Sequence, residues 1–179
     1  MLFPTSIGSC VIAWSPRGVT AVELPGVDDA ATLARIDPVH RDNAMRGRLG
    51  RAPGEIAIAV ERIVALLAGE RDDLRSVVVD LRRVGAFERR VYAQTRLVDP
   101  GETCTYGVIA SALGQPRAAR AVGGALARNP FPIIVPCHRV LAAGGVGGFS
   151  GAGGVATKLK MLTIEGARLP ALMAPTLFS

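Results

Sequence analysis

Between Glu102 and Glu165 the chain contains no acidic residue, which excludes an even spread of surface charge. Other scarcities narrow the reading. The three cysteines, Cys10, Cys104 and Cys137, are far apart and odd in number. That excludes a disulfide framework and fits a compartment that keeps thiols reduced. Two histidines, with no CxxC or HxxxH pair, leave too few donors for a four-ligand site, so no metal is expected. No apolar run approaches the ~20 residues that cross a bilayer, and the opening MLFPTSIGSC lacks the basic and long apolar regions of a secretory signal. The expectation is a protein with no membrane partner, cytoplasmic, or nuclear in a eukaryote.

Apolar residues form 49% of the 179 and charged residues 20%, which supports a packed globule and excludes a disordered or fibrous chain. The net charge of +6 is unevenly placed: residues 1–102 carry 14 basic and 14 acidic side chains, whereas residues 103–179 carry seven basic and one acidic. Arg117, Arg120, Arg128, Arg139, Lys158 and Lys160 all lie in the acid-free segment. This is the footprint of a surface facing phosphates, or more plainly a solvated basic face.

The first part reads as strands followed by helices. CVIAW and VTAVEL, separated by SPRG, suggest a hairpin, and Cys10 belongs to its core. DDAATLARI predicts a short helix capped by Asp28 or Asp29, and residues 41–54 a loop, with His40 at the surface. Ile56, Val60, Ile63, Val64 and Leu67 share one face of a helix that stops at Gly69. SVVVDL, residues 76–81, is a further strand candidate. These features predict an α/β (α+β) domain with a small β-sheet over residues 1–82. Residues 83–179 then form a mainly helical domain.

In that second domain AFERRVYAQTRLV carries Phe87, Val91, Gln94 and Leu97 at helical spacing. TYGVIASALG follows, with Thr105 as cap, Val108, Ile109 and Leu113 as apolar face and Gly114 as stop. Pro116 opens PRAARAVGGALARN, so two short helices joined by a tight turn form a helix-turn-helix of winged-helix type. The second helix has almost no bulk: Ala119, Ala121, Gly123 and Gly124 leave it smooth, and each glycine inside a helix costs roughly 1 kcal/mol against alanine. Something comes close to that backbone, either a neighbouring helix or a narrow groove of nucleic acid with Arg120 projecting into it.

NPFPIIVPCHRV puts Cys137 beside His138. A thiol reacts as its thiolate and needs a base or a positive field nearby. Neighbours in an extended segment point to opposite faces, so a water rather than a direct hydrogen bond would join the two. Glu165, the one carboxylate in the C-terminal direction, is nominated to hold the histidine, and Asn129 to bond nearby backbone. A buried packing cysteine is the competing reading. Cys104 is read as structural. The glycine-rich segment 142–154 reads as a lid or wall over the Cys137 pocket, with Phe149 offering an aromatic face, Ser150 a donor, and Val140 lining the pocket.

PCHRV, with Asn129 upstream, RAVGGA and TYGVIASALG before it and FSG and LTIEG after it, resembles the O6-alkylguanine-DNA alkyltransferases, also called methylated-DNA-protein-cysteine methyltransferases. The resemblance covers about residues 85–168. It implies a single-turnover suicide transferase without cofactor that repairs double-stranded DNA containing O6-alkylguanine, with O4-alkylthymine left open. Cys137 would accept the alkyl group irreversibly, His138 would deprotonate it through a water, and Glu165 would orient the histidine. By the same resemblance Asn129 braces the turn, Tyr106 helps swing the base out and protonates the departing guanine, and Arg120 fills the gap in the duplex. Ala119, Ala121 and Gly123 would lie in the minor groove beside Arg117. A monomer is expected, with cooperative assembly on DNA left open. Phe149 stands where some members have tyrosine, and the zinc ligands of certain members have no counterpart. Two rival readings are a lesion binder without chemistry and a sequence-reading regulator.

Overall fold

A computed structural model describes residues 1–36 and 52–168. Three strands, β1 (Leu2–Thr5), β2 (Gly8–Ser15) and β3 (Gly18–Glu23), pair antiparallel in that order. The anticipated hairpin is β2–β3, and Cys10 is fully buried within it. β1 has no counterpart in the sequence reading, because four residues with Pro4 among them carry little strand signal; the proline is tolerated because β1 is an edge strand.

Two helices accompany the sheet. α1 (Asp29–Arg35) starts at Asp28, whose side chain accepts from the Ala31 amide at 2.7 Å. α2 (Gly54–Leu67) buries Ile56, Ala59, Ile63, Leu66 and Leu67, while Val60 and Val64 are half-buried at the margin of that face. Most of the loop expected over residues 41–54, and His40, lie outside the described residues.

The strand expected at residues 76–81 does not form. Only an isolated parallel bridge joins Val19 to Val79, with hydrogen bonds from the Val19 amide to the Val78 carbonyl and from the Asp80 amide to the Val19 carbonyl. The segment turns away directly after the bridge, where the Val84 amide donates to the Leu81 carbonyl at 2.9 Å, so no ladder extends along β3, and Val78 is left 60% exposed. Gly18 permits the close approach: a Cβ there would lie 2.5 Å from the Val78 carbonyl oxygen.

The remaining helices are α3 (Ala86–Thr95), α4 (Tyr106–Ala112), α5 (Ala119–Ala127) and α6 (Gly154–Ile164). A short parallel pair, β4 (Cys104–Thr105) with β5 (Val140–Leu141), ties the start of α4 to the segment that follows Cys137. Thr105 caps α4 by accepting from the Val108 amide, Gly114 ends it at φ +72°, and Pro116–Ala118 make a single 3-10 turn before α5. α4 packs against both α3 and α5, so its buried arc is Ile109, Ala110 and Leu113. Val108 falls outside that arc and is 55% exposed, and Leu97, beyond the end of α3, is exposed too. One apolar cluster runs from Phe3 and Ile12 in the sheet through Ile63 and Tyr92 to Ile134 and Met161. The result is a mixed α/β fold with a small sheet and several helices.

Candidate active site

Cys137 stands at the end of a strained turn. Ile133, β-branched and buried, has φ +74°, a conformation that costs on the order of 1–3 kcal/mol and persists only when its surroundings hold it. Asn129 does the holding from both ends. Its Nδ2 donates to the Val135 carbonyl and its Oδ1 accepts from the Phe131 amide, each at 2.9 Å. The chain then enters a 3-10 turn over Cys137–Arg139, not the extended segment expected from PCHR, and the Arg139 amide closes it by donating to the Pro136 carbonyl at 2.9 Å.

That turn sends successive side chains to different places. Cys137, 9% exposed, borders a cavity, while His138 and Arg139 are buried. His138 Nε2 lies 3.0 Å from Glu165 Oε1, and Arg139 grips the same carboxylate with Nε to Oε2 at 2.9 Å and Nη2 to Oε1 at 2.8 Å. Arg139 Nη1 also donates to the Val98 carbonyl at 2.7 Å. Glu165 is the C-cap of α6, so that helix positions the carboxylate. Nδ1 of His138 is buried and has no hydrogen-bond partner among the described residues.

The electrostatics follow from burial and pairing. Desolvation tends to raise the Glu165 carboxyl, but hydrogen bonds from His138 and Arg139 outweigh it and hold the group at about 2. Burial pushes His138 below its usual 6.5, with Glu165 opposing, so the ring rests neutral. A neutral ring that donates Nε2–H to Glu165 has its lone pair on Nδ1. Burial also pushes the Cys137 thiol up, opposed by a hydrogen bond from Asn129 and by the positive charge of Lys158. The resting group is therefore a thiol that needs a base at the moment of reaction.

Lys158 and Arg139 are the members that sequence reasoning did not place in the site. Lys158 is fully buried on α6, and its Nζ donates to the carbonyls of Val140 at 2.7 Å and Val146 at 2.8 Å, with Gly148 at 3.5 Å. Burial lowers it to about 8. The available signal was a lysine on the face of α6 that also carries Met161 and Leu162, both buried.

The cavity beside Cys137 holds about 500 Å³. Tyr106 from α4 and Ala119, Arg120 and Gly123 from α5 line one side; Gly148, Phe149 and Ser150 line the other. Burial raises the Tyr106 hydroxyl above its usual 10, and a charge on Cys137 would raise it further. Gly123 faces that ring, and a Cβ there would meet it in ordinary contact at 4.0 Å. Arg120 and Arg117 are exposed, as is Ala121 on the outer face of α5. Ser150 Oγ donates to the Ala127 carbonyl at 2.8 Å and so ties the glycine-rich wall to α5. Val140 is fully buried in β5 and does not border the cavity.

The structure thus brings together a cysteine at the edge of a cavity, a buried histidine–carboxylate pair behind it, and a small-residue helix flanked by exposed Arg117 and Arg120. The family model for the DNA-binding domain of 6-O-methylguanine DNA methyltransferase matches residues 86–167. A methylated-DNA–protein-cysteine methyltransferase of Mycolicibacterium paratuberculosis is 42% identical over 166 residues, covering 92% of this chain and 94% of that one. A protein of Thermus thermophilus named DNA base-flipping protein is 36% identical over 169 residues, covering 93% and 99%. The crystal structure of Mycobacterium tuberculosis OGT in complex with DNA superposes with a TM-score of 0.65 at 31% identity, covering 96% and 94%. The chain belongs to the methylated-DNA–protein-cysteine methyltransferase family. No helix among the described residues is long and apolar enough to cross a membrane.

Proposed function

We propose that this chain repairs DNA by direct reversal of damage, moving the alkyl group of O6-alkylguanine irreversibly to Cys137. The observation that carries the reading is a cavity-facing thiol on the same short turn as the buried His138–Glu165–Arg139 cluster. A water between Sγ and Nδ1 of His138 would satisfy the buried nitrogen and pass the thiol proton to it. The thiolate then attacks the alkyl carbon, the carbon–O6 bond breaks with its electron pair on the guanine, and Tyr106 supplies a proton to the leaving base. The proton held by His138 restores the tyrosine, so one thiol proton is exchanged for one alkyl group.

A base inside a duplex cannot reach Cys137, so it must leave the stack, at a cost of a few kcal/mol. In this reading α4, the turn and α5 act as a helix-turn-helix laid in the minor groove. Ala119, Ala121 and Gly123 face the backbone, Arg117 touches phosphate, and Arg120 fills the gap. Residues 1–82 and 83–179 are taken as the two domains, the protein as a monomer, and no cofactor or metal as required.

The name of the Thermus relative raises a second reading, recognition of the lesion without transfer. The presence of Cys137 at the cavity favours chemistry. The test is a duplex with a single O6-methylguanine, digested and analysed for nucleosides after equimolar incubation: restored guanine supports transfer, and tight binding with the lesion intact supports the second reading.

A further inference from the structure

The chain that follows α3 is held by arginines from two directions. Every carbonyl from Thr95 to Pro100 has a partner: those of Thr95 and Asp99 accept from the nearby amides of Val98 and Glu102, and the other four accept from guanidinium groups. Arg75 takes two of these, with Nε to the Arg96 carbonyl and Nη2 to that of Leu97, each at 3.0 Å, and its Nη2 also lies 2.6 Å from Asp99 Oδ1. Arg71 Nη2 donates to the Pro100 carbonyl at 3.0 Å. Between them the Val98 carbonyl accepts from Arg139 Nη1 at 2.7 Å. A helix leaves its last carbonyls without internal partners, and cations suit that negative end.

The hold is mutual. Arg96 Nη2 donates back to the carbonyls of Leu74 and Arg75 at 2.8 Å and of Val77 at 2.9 Å. Residues 71–77, beyond α2, are therefore closed on residues 96–101, and the buried Glu165–Arg139 pair touches those same residues at Val98 and Gly101. The Gly101 amide lies 3.5 Å from Glu165 Oε2. With φ +83° at Gly101, a Cβ there would come 2.9 Å from the Glu165 carbonyl oxygen, so glycine permits the approach.

We propose that Arg71 and Arg75 are positioning residues for the transfer step: by fixing the carbonyls on either side of Val98 they aim its carbonyl at Arg139, and through Arg139 they set how Glu165 is shared with His138. The inference rests on the alkyl-transfer reading and extends its machinery to two arginines that do not border the cavity at Cys137. The Arg75 side chain is 40% exposed, and an exposed ion pair by itself adds little to a fold. His138 faces Glu165 and Lys158 from α6 and its end, and Cys137 and Arg139 from its own turn. If Val98 shifts, Arg139 loosens its hold and the Glu165 charge bears more fully on the ring. The protonated ring is then favoured, and the base becomes neutral only at higher pH.

The experiment measures single-turnover transfer from a saturating duplex containing O6-methylguanine, from about pH 5 to 8, together with duplex affinity and melting temperature. Arg75→Ala and Arg71→Gln should slow transfer at neutral pH by about three- to thirtyfold and move the acidic limb of the profile up by about half a unit, with affinity held within about twofold. Arg75→Lys keeps the charge but cannot span two carbonyls, so it should resemble Arg75→Ala. Arg82→Ala, which removes a guanidinium paired with Asp80, should change neither rate nor limb. Arg75 and Arg71 variants that keep the wild-type limb, whatever their melting temperatures, would overturn the proposal, as would an Arg75→Lys indistinguishable from wild type or an Arg82→Ala with the same shift. Arg71→Gln removes one hydrogen bond at the surface and so keeps the test open if Arg75→Ala fails to fold. Absence of methyl transfer to wild-type Cys137 would instead remove the alkyl-transfer reading itself.

Discussion

His138 Nε2 lies 3.0 Å from Glu165 Oε1, a contact closed across 27 residues of sequence. The same carboxylate is held by Nε and Nη2 of Arg139, so the pair is a triad in which the negative charge is shared between a neutral ring and a permanent cation. The sharing fixes the histidine's orientation and tautomer without making it cationic, which suits a base that must accept a proton.

Removing that charge should be costly twice over. Glu165→Gln leaves Arg139 buried without its counter-ion, and breaking such a pair destabilises by about 3–5 kcal/mol. Denaturant unfolding should show that loss, and the variant's transfer rate, measured well below its melting temperature, should also drop. A rate unchanged in a destabilised variant would confine Glu165 to the fold.

The triad also sets a pH dependence. The Glu165 carboxyl is held at about 2, below the usual 4.5, so its contribution to stability is complete above 4.5 and is lost as pH falls toward 2. Melting temperature should therefore fall through that interval more steeply for the wild type than for Glu165→Gln. Lys158, lowered to about 8 from 10.5, works the other way: the fold disfavours its charged form, and stability rises from pH 8 toward 10.5. Over that same range the positive field beside Cys137 fades, so the transfer rate should lag behind thiol titration above about pH 8. A rate that simply follows the thiol would exclude a role for Lys158.

Gly123 separates groove fit from fold. A Cβ there meets the Tyr106 ring at 4.0 Å, an ordinary contact, so Gly123→Ala should stabilise by about 0.5–1 kcal/mol through helix propensity. If α5 lies in a groove, the same methyl should weaken duplex binding. A stabler variant with undiminished DNA affinity would show that packing alone explains the smooth helix.

Arg120 borders the cavity but is exposed and contributes nothing to the core. Arg120→Ala should slow transfer from duplex DNA by about ten- to a hundredfold, the worth of a contact that offsets base extrusion, while leaving reaction with free O6-benzylguanine unchanged. Equal losses on both substrates would assign it to the pocket instead.

How much of this could be read in the residues depends on whether the signal is local. The core of the α2 face, the Asp28 and Thr105 caps and the β2–β3 hairpin follow from spacing and turn chemistry and stand in the structure. Val108 and Leu97, read onto apolar faces, are exposed because the neighbouring helices cover a different arc. SVVVDL failed because apolar, β-branched composition says nothing about how far the segment stays beside its neighbour: it touches β3 at Val19 and then turns away. The triad was legible only in part: Glu165 emerged from the scarcity of carboxylates, whereas Arg139 was counted as basic surface and is 1% exposed. Lys158 was hidden for the same reason. Its partners are backbone carbonyls, which leave no trace in a sequence.

The central claim is that Cys137 takes the alkyl group and keeps it. Intact-protein mass after incubation with one equivalent of duplex containing O6-methylguanine tests it directly, beside Cys137→Ala. The account predicts a gain of one methyl per chain in the wild type and none in the variant; an unchanged wild-type mass despite lesion-dependent binding, or a methyl that still appears on the variant, would contradict it.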